Sequence, residues 1–152
     1  MTTIDVSNIR SHAGETFSSD WRTVSQADIN QFADATGDHQ WIHVDSARAA
    51  DSPFKTTIAH GFLTLSLIST FIRSAVQFAN LRMAINYGCN RVRFVSPVPS
   101  GSRIRGRFTI GSVEDVADGV QVTWNGVVER EGSDKPALVA EWLVRYYPAI
   151  SR

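Results

Sequence analysis

From about Leu81 onward, apolar and polar positions alternate with a period of two, the pattern of half-buried strands. The stretch Arg103-Ile104-Arg105-Gly106-Arg107-Phe108-Thr109-Ile110 alternates throughout. Val120, Val122, Trp124, Gly126 and Val128 share a face of the next predicted strand; Leu138, Ala140, Trp142, Val144 and Tyr146 share a face of the last, which Pro148 closes. Asp118-Gly119 predicts a hairpin, the polar run Glu131 to Lys135 a second turn, and Pro97-Val98-Pro99-Ser100-Gly101 a turn after a strand over Arg91 to Val95.

The first half is patterned differently. A short helix is predicted over Val6 to His12 and a short strand over Asp20 to Val24. Ser25, with Asp28 three residues on, reads as a helix cap with an acidic first turn; Ile29, Phe32, Ala33 and Thr36 follow at helical spacing, and Gly37 stops the helix. Asp45 caps a short helix over Ser46 to Asp51, and Phe54 to Ala59 reads as extended. From Gly61 a long helix carries apolar or small residues on every side as far as Ile72, and a helix without a polar face is expected to be buried all round. The sum is an α+β domain: an antiparallel sheet of about five strands wrapped around a long central helix. A curved sheet of that size leaves open edges, which predicts edge-to-edge pairing of two copies.

Composition narrows the partners. The 152 residues suit one domain spanning residues 1–152, and Lys+Arg and Asp+Glu balance at 15 each. That balance gives no reason to expect a nucleic-acid or membrane partner. The single cysteine, Cys89, excludes an internal disulfide and reads as a small core hydrophobe. The N-terminus lacks the basic flank and apolar core of a signal peptide, and the most apolar run is too short to span a bilayer, so a cytoplasmic protein is expected.

The candidate chemistry lies between Thr36 and Gly61, which holds three of the 4 histidines. Asp38 and His43 are close enough across a turn to converge on one water as a general acid/base pair. The alternative is an ordinary turn aspartate and a satisfied histidine in a covering loop. His39 and His43 stand at the spacing of a metal-binding helix, but Gln40 replaces the glutamate of that motif and Trp41-Ile42 argue against a regular helix, so no metal is expected. Gly61 opens the long helix, where free backbone N–H groups and the helix dipole favour developing negative charge, as an oxyanion hole does. Tight packing at the helix entry is the other reading of Gly61, and a polar helix-start residue is the reading for His60. Arg91, Arg93, Arg103, Arg105 and Arg107 form either the solvated side of the sheet or a landing site for phosphates.

Three stretches carry a resemblance: Ala35 to Asp45, Ile58-Ala59-His60-Gly61-Phe62, and Asn90 to Pro99. Together they resemble the MaoC-like (R)-specific enoyl-CoA hydratases, in the NodN-like branch of single hot-dog proteins, over roughly residues 20 to 147. The resemblance implies a hot-dog fold, a homodimer with a continuous sheet, and reversible addition of water to a trans-2-enoyl-CoA giving the (3R)-3-hydroxyacyl-CoA. It makes Asp38 and His43 catalytic and Gly61 the donor to the thioester oxygen. Gln40, His60 and Ser69 become oxyanion or substrate-binding positions, with Leu65, Ser69 and Ile72 along the acyl tunnel. No cofactor is implied, since the acyl-CoA substrate carries its own coenzyme A. Typical members have Asn-Pro where this chain has Gln40-Trp41. Alternatives within the fold are a dehydratase acting on acyl-carrier-protein thioesters, a non-catalytic acyl-thioester-binding subunit, and a thioesterase.

Overall fold

A computed structural model describes residues 1–150. In chain order they form β1 (Thr2–Asp5), a 3-10 helix (Val6–His12), β2 (Thr16–Ser18), β3 (Arg22–Thr23), α1 (Gln26–Thr36), α2 (Trp41–Val44), α3 (Ser46–Ala50), α4 (Gly61–Ala75), β4 (Val76–Ala79), β5 (Leu81–Arg93), β6 (Arg103–Val116), β7 (Gly119–Arg130) and β8 (Leu138–Pro148). The main sheet is antiparallel and six-stranded in the order β2-β6-β7-β8-β5, with β3 also on β6. It curls around α4, which is the hot-dog arrangement. The period-two faces predicted for β6, β7 and β8 are the faces that pack inward.

Local chemistry sets the helix ends as the sequence suggests. Ser25 and Asp28 form a reciprocal capping box on α1, and Gly37 closes that helix in the left-handed conformation at φ 81°. The Asp45 side chain accepts from the Arg48 N–H to start α3. On β6, Gly106 is required by close approach: a Cβ there would lie 2.5 Å from the Phe108 ring and 2.9 Å from Phe71 Cβ on α4. Phe108 meets Trp124 edge-on with centroids 6.3 Å apart, a favoured aromatic geometry. The buried Trp124 Nε1–H donates to Tyr146 Oη at 2.8 Å, so the core has few polar loose ends. Burial pushes the Tyr146 phenol well above its usual value, against the lowering effect of the Trp124 bond.

Several expectations need correction. β1 and β4 pair in parallel as a separate two-stranded sheet. Their backbone partners lie at opposite ends of a long intervening chain, which no local pattern announces. The central helix is not buried all round: Phe62, Ser66, Thr70 and Arg73 form an exposed line along α4, with Phe62 at 68%. The sheet covers one side of the helix and leaves this one open. The strand expected over Arg91 to Val95 ends at Arg93, and of the segment expected to be extended, Phe54 to Thr56 turns and bends, with Lys55 at φ 65°, while Ile58 makes a single bridge to Pro99. Cys89 is exposed on β5 rather than in the core, because β5 is an edge strand open on both faces along most of its length. No helix among the described residues is long and apolar enough to cross a membrane.

Candidate active site

The site is assembled where three backbone segments meet at the start of α4. The turn after Gly37 delivers Asp38, the single helical turn of α2 delivers His43, and His60 immediately precedes Gly61. The sequence argued against a helix at Trp41-Ile42; one forms because Gln26 holds it. The Gln26 side-chain amide donates to the His43 carbonyl at 2.8 Å, and its oxygen accepts from the buried Thr57 hydroxyl at 2.6 Å. His39 lies outside this turn and points to solvent, where it pairs with Asp34 at 2.9 Å. His39 and His43 therefore share no face.

His43 is 7% exposed, and its Nδ1–H donates to the Ile58 carbonyl at 2.7 Å. A carbonyl only accepts, so the proton resides on Nδ1 and Nε2 keeps its lone pair. Burial pushes the His43 imidazole below its usual value; the Ile58 bond raises it, His60 lowers it and the Asp38 charge raises it. The result is a neutral base ready at neutral pH. Asp38 is exposed, and one of its carboxylate oxygens accepts from the Gln40 N–H at 3.3 Å. A carboxylate oxygen of Asp38 and ring nitrogens of His43 and His60 all lie within 4.8 Å of one another, a spacing one bridging water can serve. The same trio is a poor cage for a metal ion. The two rings stack at 3.8 Å with planes 24° apart, so their in-plane lone pairs run side by side instead of converging.

Beside His43 lies a cavity of about 280 Å³ lined by Gly61, Thr64, Phe94 and Val98 among others. The N–H groups of Leu63 and Thr64 bond back to the His60 carbonyl, whereas that of Gly61 has no backbone partner among the described residues. It is the free donor expected of a first helical turn. The Phe94 ring lies directly on the Gly61 α-carbon: a Cβ at Gly61 would sit 2.9 Å from it.

Asp38, His43, His60 and Gly61 are thus brought together. Gln40 is exposed at the start of α2 and contributes its backbone N–H to Asp38, while its side chain does not line the cavity. Ser69 faces a separate cavity of about 310 Å³ with Ile72, Arg73, Asn86 and Trp142. Leu65 packs partly buried against the core. Sequence reasoning missed Gln26, the Ile58 carbonyl and Phe94. A glutamine in the first turn of an amphipathic helix beside a loop rich in histidine was the available hint for Gln26. Phe94 was legible only as an apolar residue of the strand expected over Arg91 to Val95, with nothing to place it on Gly61. The arginine set divides: Arg103 pairs with Glu131, Arg105 and Arg107 with Glu129, and Arg105 stacks on Trp21 at 4.5 Å. Arg91 and Arg93 make no ion pair with the described residues.

Taken with the wrapped sheet, this arrangement puts the protein among the hot-dog hydratases and dehydratases. Residues 8–131 match the family described as MaoC like domain, and the chain belongs to that family. It is 53% identical over 143 residues to 3-hydroxyacyl-thioester dehydratase Z of Mycobacterium tuberculosis, covering 93% of this chain and 95% of that protein. Nodulation protein N of Rhizobium meliloti is 48% identical over 147 residues, covering 94% and 91%. Among solved structures, the (R)-hydratase from A. caviae superposes with a TM-score of 0.74 over 90% of this chain and 96% of that one; at 22% identity the likeness concerns the fold.

Proposed function

We propose that the protein is an (R)-specific hydro-lyase that adds water reversibly to trans-2-enoyl thioesters, with Asp38 and His43 as the acid/base pair and Gly61 as the oxyanion donor. The observation that carries this reading is a cavity lined by a buried histidine with a free Nε2 and by the residue with an unpaired helix N–H, with a carboxylate within bridging distance of that histidine. A water held between Asp38 and His43 gives its oxygen to the β-carbon. Its proton passes to the pair, and a proton returns from the pair to the α-carbon on the same face. The electron pair displaced from the double bond rests on the thioester oxygen, where the Gly61 N–H and the dipole of α4 stabilise it. The two proton transfers are assigned to Asp38 and His43 together, as one acid/base pair. Water and the thioester supply every atom, and the reaction as written requires no cofactor or metal.

Coenzyme A is the favoured carrier of the acyl group, because Arg91 and Arg93, at the end of β5 just before Phe94, make no ion pair among the described residues, Arg93 donating only to the Val92 carbonyl. The dehydratase named among the relatives would run the same chemistry in reverse, and a carrier-protein thioester would use the same centre. The acyl chain would extend toward Ser69. β5 is the free edge of the sheet and exposes Tyr87 at 56%, together with Met83 and Ile85, which supports pairing with the same strand of a second copy.

The test is loss of enoyl-thioester absorbance when protein is added, followed by chiral analysis of the product. Replacing either partner, as in Asp38→Asn and His43→Ala, should lower the rate by about 100- to 10,000-fold, the range of a general acid/base contribution. Folded variants with the wild-type rate would overturn the assignment, and release of free thiol would indicate a thioesterase instead. Comparing coenzyme A with carrier-bound thioesters decides the carrier.

A further inference from the structure

His60 is neither of the two ionisable groups assigned to the chemistry, yet it touches both. It is 2% exposed, and its Nε2–H donates to the Asp38 backbone carbonyl at 2.9 Å. Its ring stacks on His43 at 3.8 Å and packs against Phe32 of α1 at 4.8 Å. Through the main chain it is joined to Gly61. Its Nδ1 is buried without a hydrogen-bond partner among the described residues. Buried polar atoms are rarely left this way, and an apolar ring would fill the same space with no orphaned nitrogen. What only a histidine supplies here is a flat ring for His43 together with a donor for the Asp38 turn.

We propose that His60 is a positioning residue, which ties the Asp38 turn to the start of α4 and clamps the His43 ring so that carboxylate, imidazole and Gly61 N–H keep one mutual geometry. The proposal rests on the hydratase reading only for what that geometry serves. The ionisable groups facing His43 are Asp38, from the turn after α1, and His60, from the start of α4; His43 itself is the titratable side chain that lines the cavity. Two substitutions separate the two contacts. His60→Phe keeps a ring for packing and loses the donor; His60→Gln keeps a donor at the position of Nε2 and loses the ring.

Three readouts are taken on the whole protein: turnover of a trans-2-enoyl thioester, amide exchange of residues Asp38 to Gln40, and titration of His43 by NMR. His60→Phe should lower kcat by about 10- to 100-fold, with KM changing less, and His60→Gln should lower it by a smaller factor, since it keeps the donor to the Asp38 turn and loses only the ring against His43; small misplacements of reacting groups carry penalties of that order. Exchange at Asp38 to Gln40 should accelerate in the Phe variant alone. In the Gln variant the His43 titration, and with it the acid limb of the rate profile, should move toward higher pH, since the ring that shields His43 from water is gone. Wild-type kcat and exchange in His60→Phe would overturn the proposal, as would equal losses of kcat in both variants that track lost thermal stability. Should His60→Phe fail to fold, the Gln variant decides alone: a wild-type His43 titration would refute the clamp. If the wild-type protein turns over no enoyl thioester, the reaction is misassigned, and exchange and titration still determine whether His60 holds Asp38 and His43.

Discussion

The two ends of α4 each border a cavity, and the two are finished differently. At the N-terminal end the space of about 280 Å³ meets a helix N–H with no backbone partner and a histidine whose Nε2 is free. Toward the C-terminal end, the space of about 310 Å³ is bordered by polar groups that satisfy one another: Trp142 Nε1–H donates to Asn86 at 3.2 Å, and Asn86 donates to Ser69 at 3.5 Å. Unpaired groups at a helix start are available to a substrate, whereas paired groups shape a space. The difference favours Gly61, two turns of helix away from Ser69, as the place of the proposed chemistry.

The sharpest way to break this contrast is Gly61→Ala. The new Cβ would lie 2.9 Å from the Phe94 ring, so the ring must shift and the approach of a carbonyl oxygen to the N–H narrows. Activity should fall by about 100-fold, comparable to loss of one oxyanion donor. Stability should hold or rise, because Ala is the better helix former by up to about 1 kcal/mol. Steady-state kinetics and a thermal melt on the same sample check both halves. A fall in melting temperature that accounts for the lost activity would make Gly61 a packing glycine.

A gentler test uses pH and the two histidines of the site loop. Burial holds His43 below the usual imidazole value of 6.5, while the Asp34 hydrogen bond, with smaller help from Gly37 and nearby charges, raises the exposed His39 above it. With neutral His43 as the proposed base, the acid limb of kcat/KM should fall below pH 6.5. The unfolded chain takes up the His43 proton more readily than the folded one. The stability His43 contributes is therefore complete above its unfolded value and declines as pH drops below it. His39→Ala should leave the limb where it is. An acid limb above 6.5, or one that moves with His39, would transfer the role of base away from His43.

Much of the fold that frames the candidate site was legible from sequence, and the parts that were not share a cause. Ser25 with Asp28, Gly37, and Asp45 act on backbone a few residues away, so their spacing predicts the ends of α1 and α3 directly. The inward faces of β6, β7 and β8 follow from alternation alone. The stack of His43 on His60, the acceptance of the His43 proton by Ile58 and the seating of Phe94 on Gly61 each join residues from different elements. Each depends on how the elements dock, and local propensity carries no trace of that. The openness of β5 escaped for the same reason. Its residues alternate no differently from those of a buried strand, and only the strand order shows that it lies at an edge.

The smallest expected effect lies at the far cavity and tests the contrast from the other side. Ser69→Ala removes the hydroxyl that accepts from Asn86, a bond at the 3.5 Å limit of useful hydrogen bonding. Asn86 keeps its contact with Trp142, so neither end of the chain of polar groups is stranded. A single neutral hydrogen bond of ordinary geometry contributes about 0.5–1.5 kcal/mol, and this long one belongs at or below the lower bound. Denaturant titration should therefore show little change. With a four-carbon enoyl thioester, whose acyl chain ends near the reacting carbons, kcat should stay within about twofold of wild type, since no group that touches the reacting atoms has moved. With longer chains KM is the parameter free to change. A tenfold fall in kcat on the four-carbon substrate would mean that Ser69 reaches the reacting atoms and that the two cavities are one site.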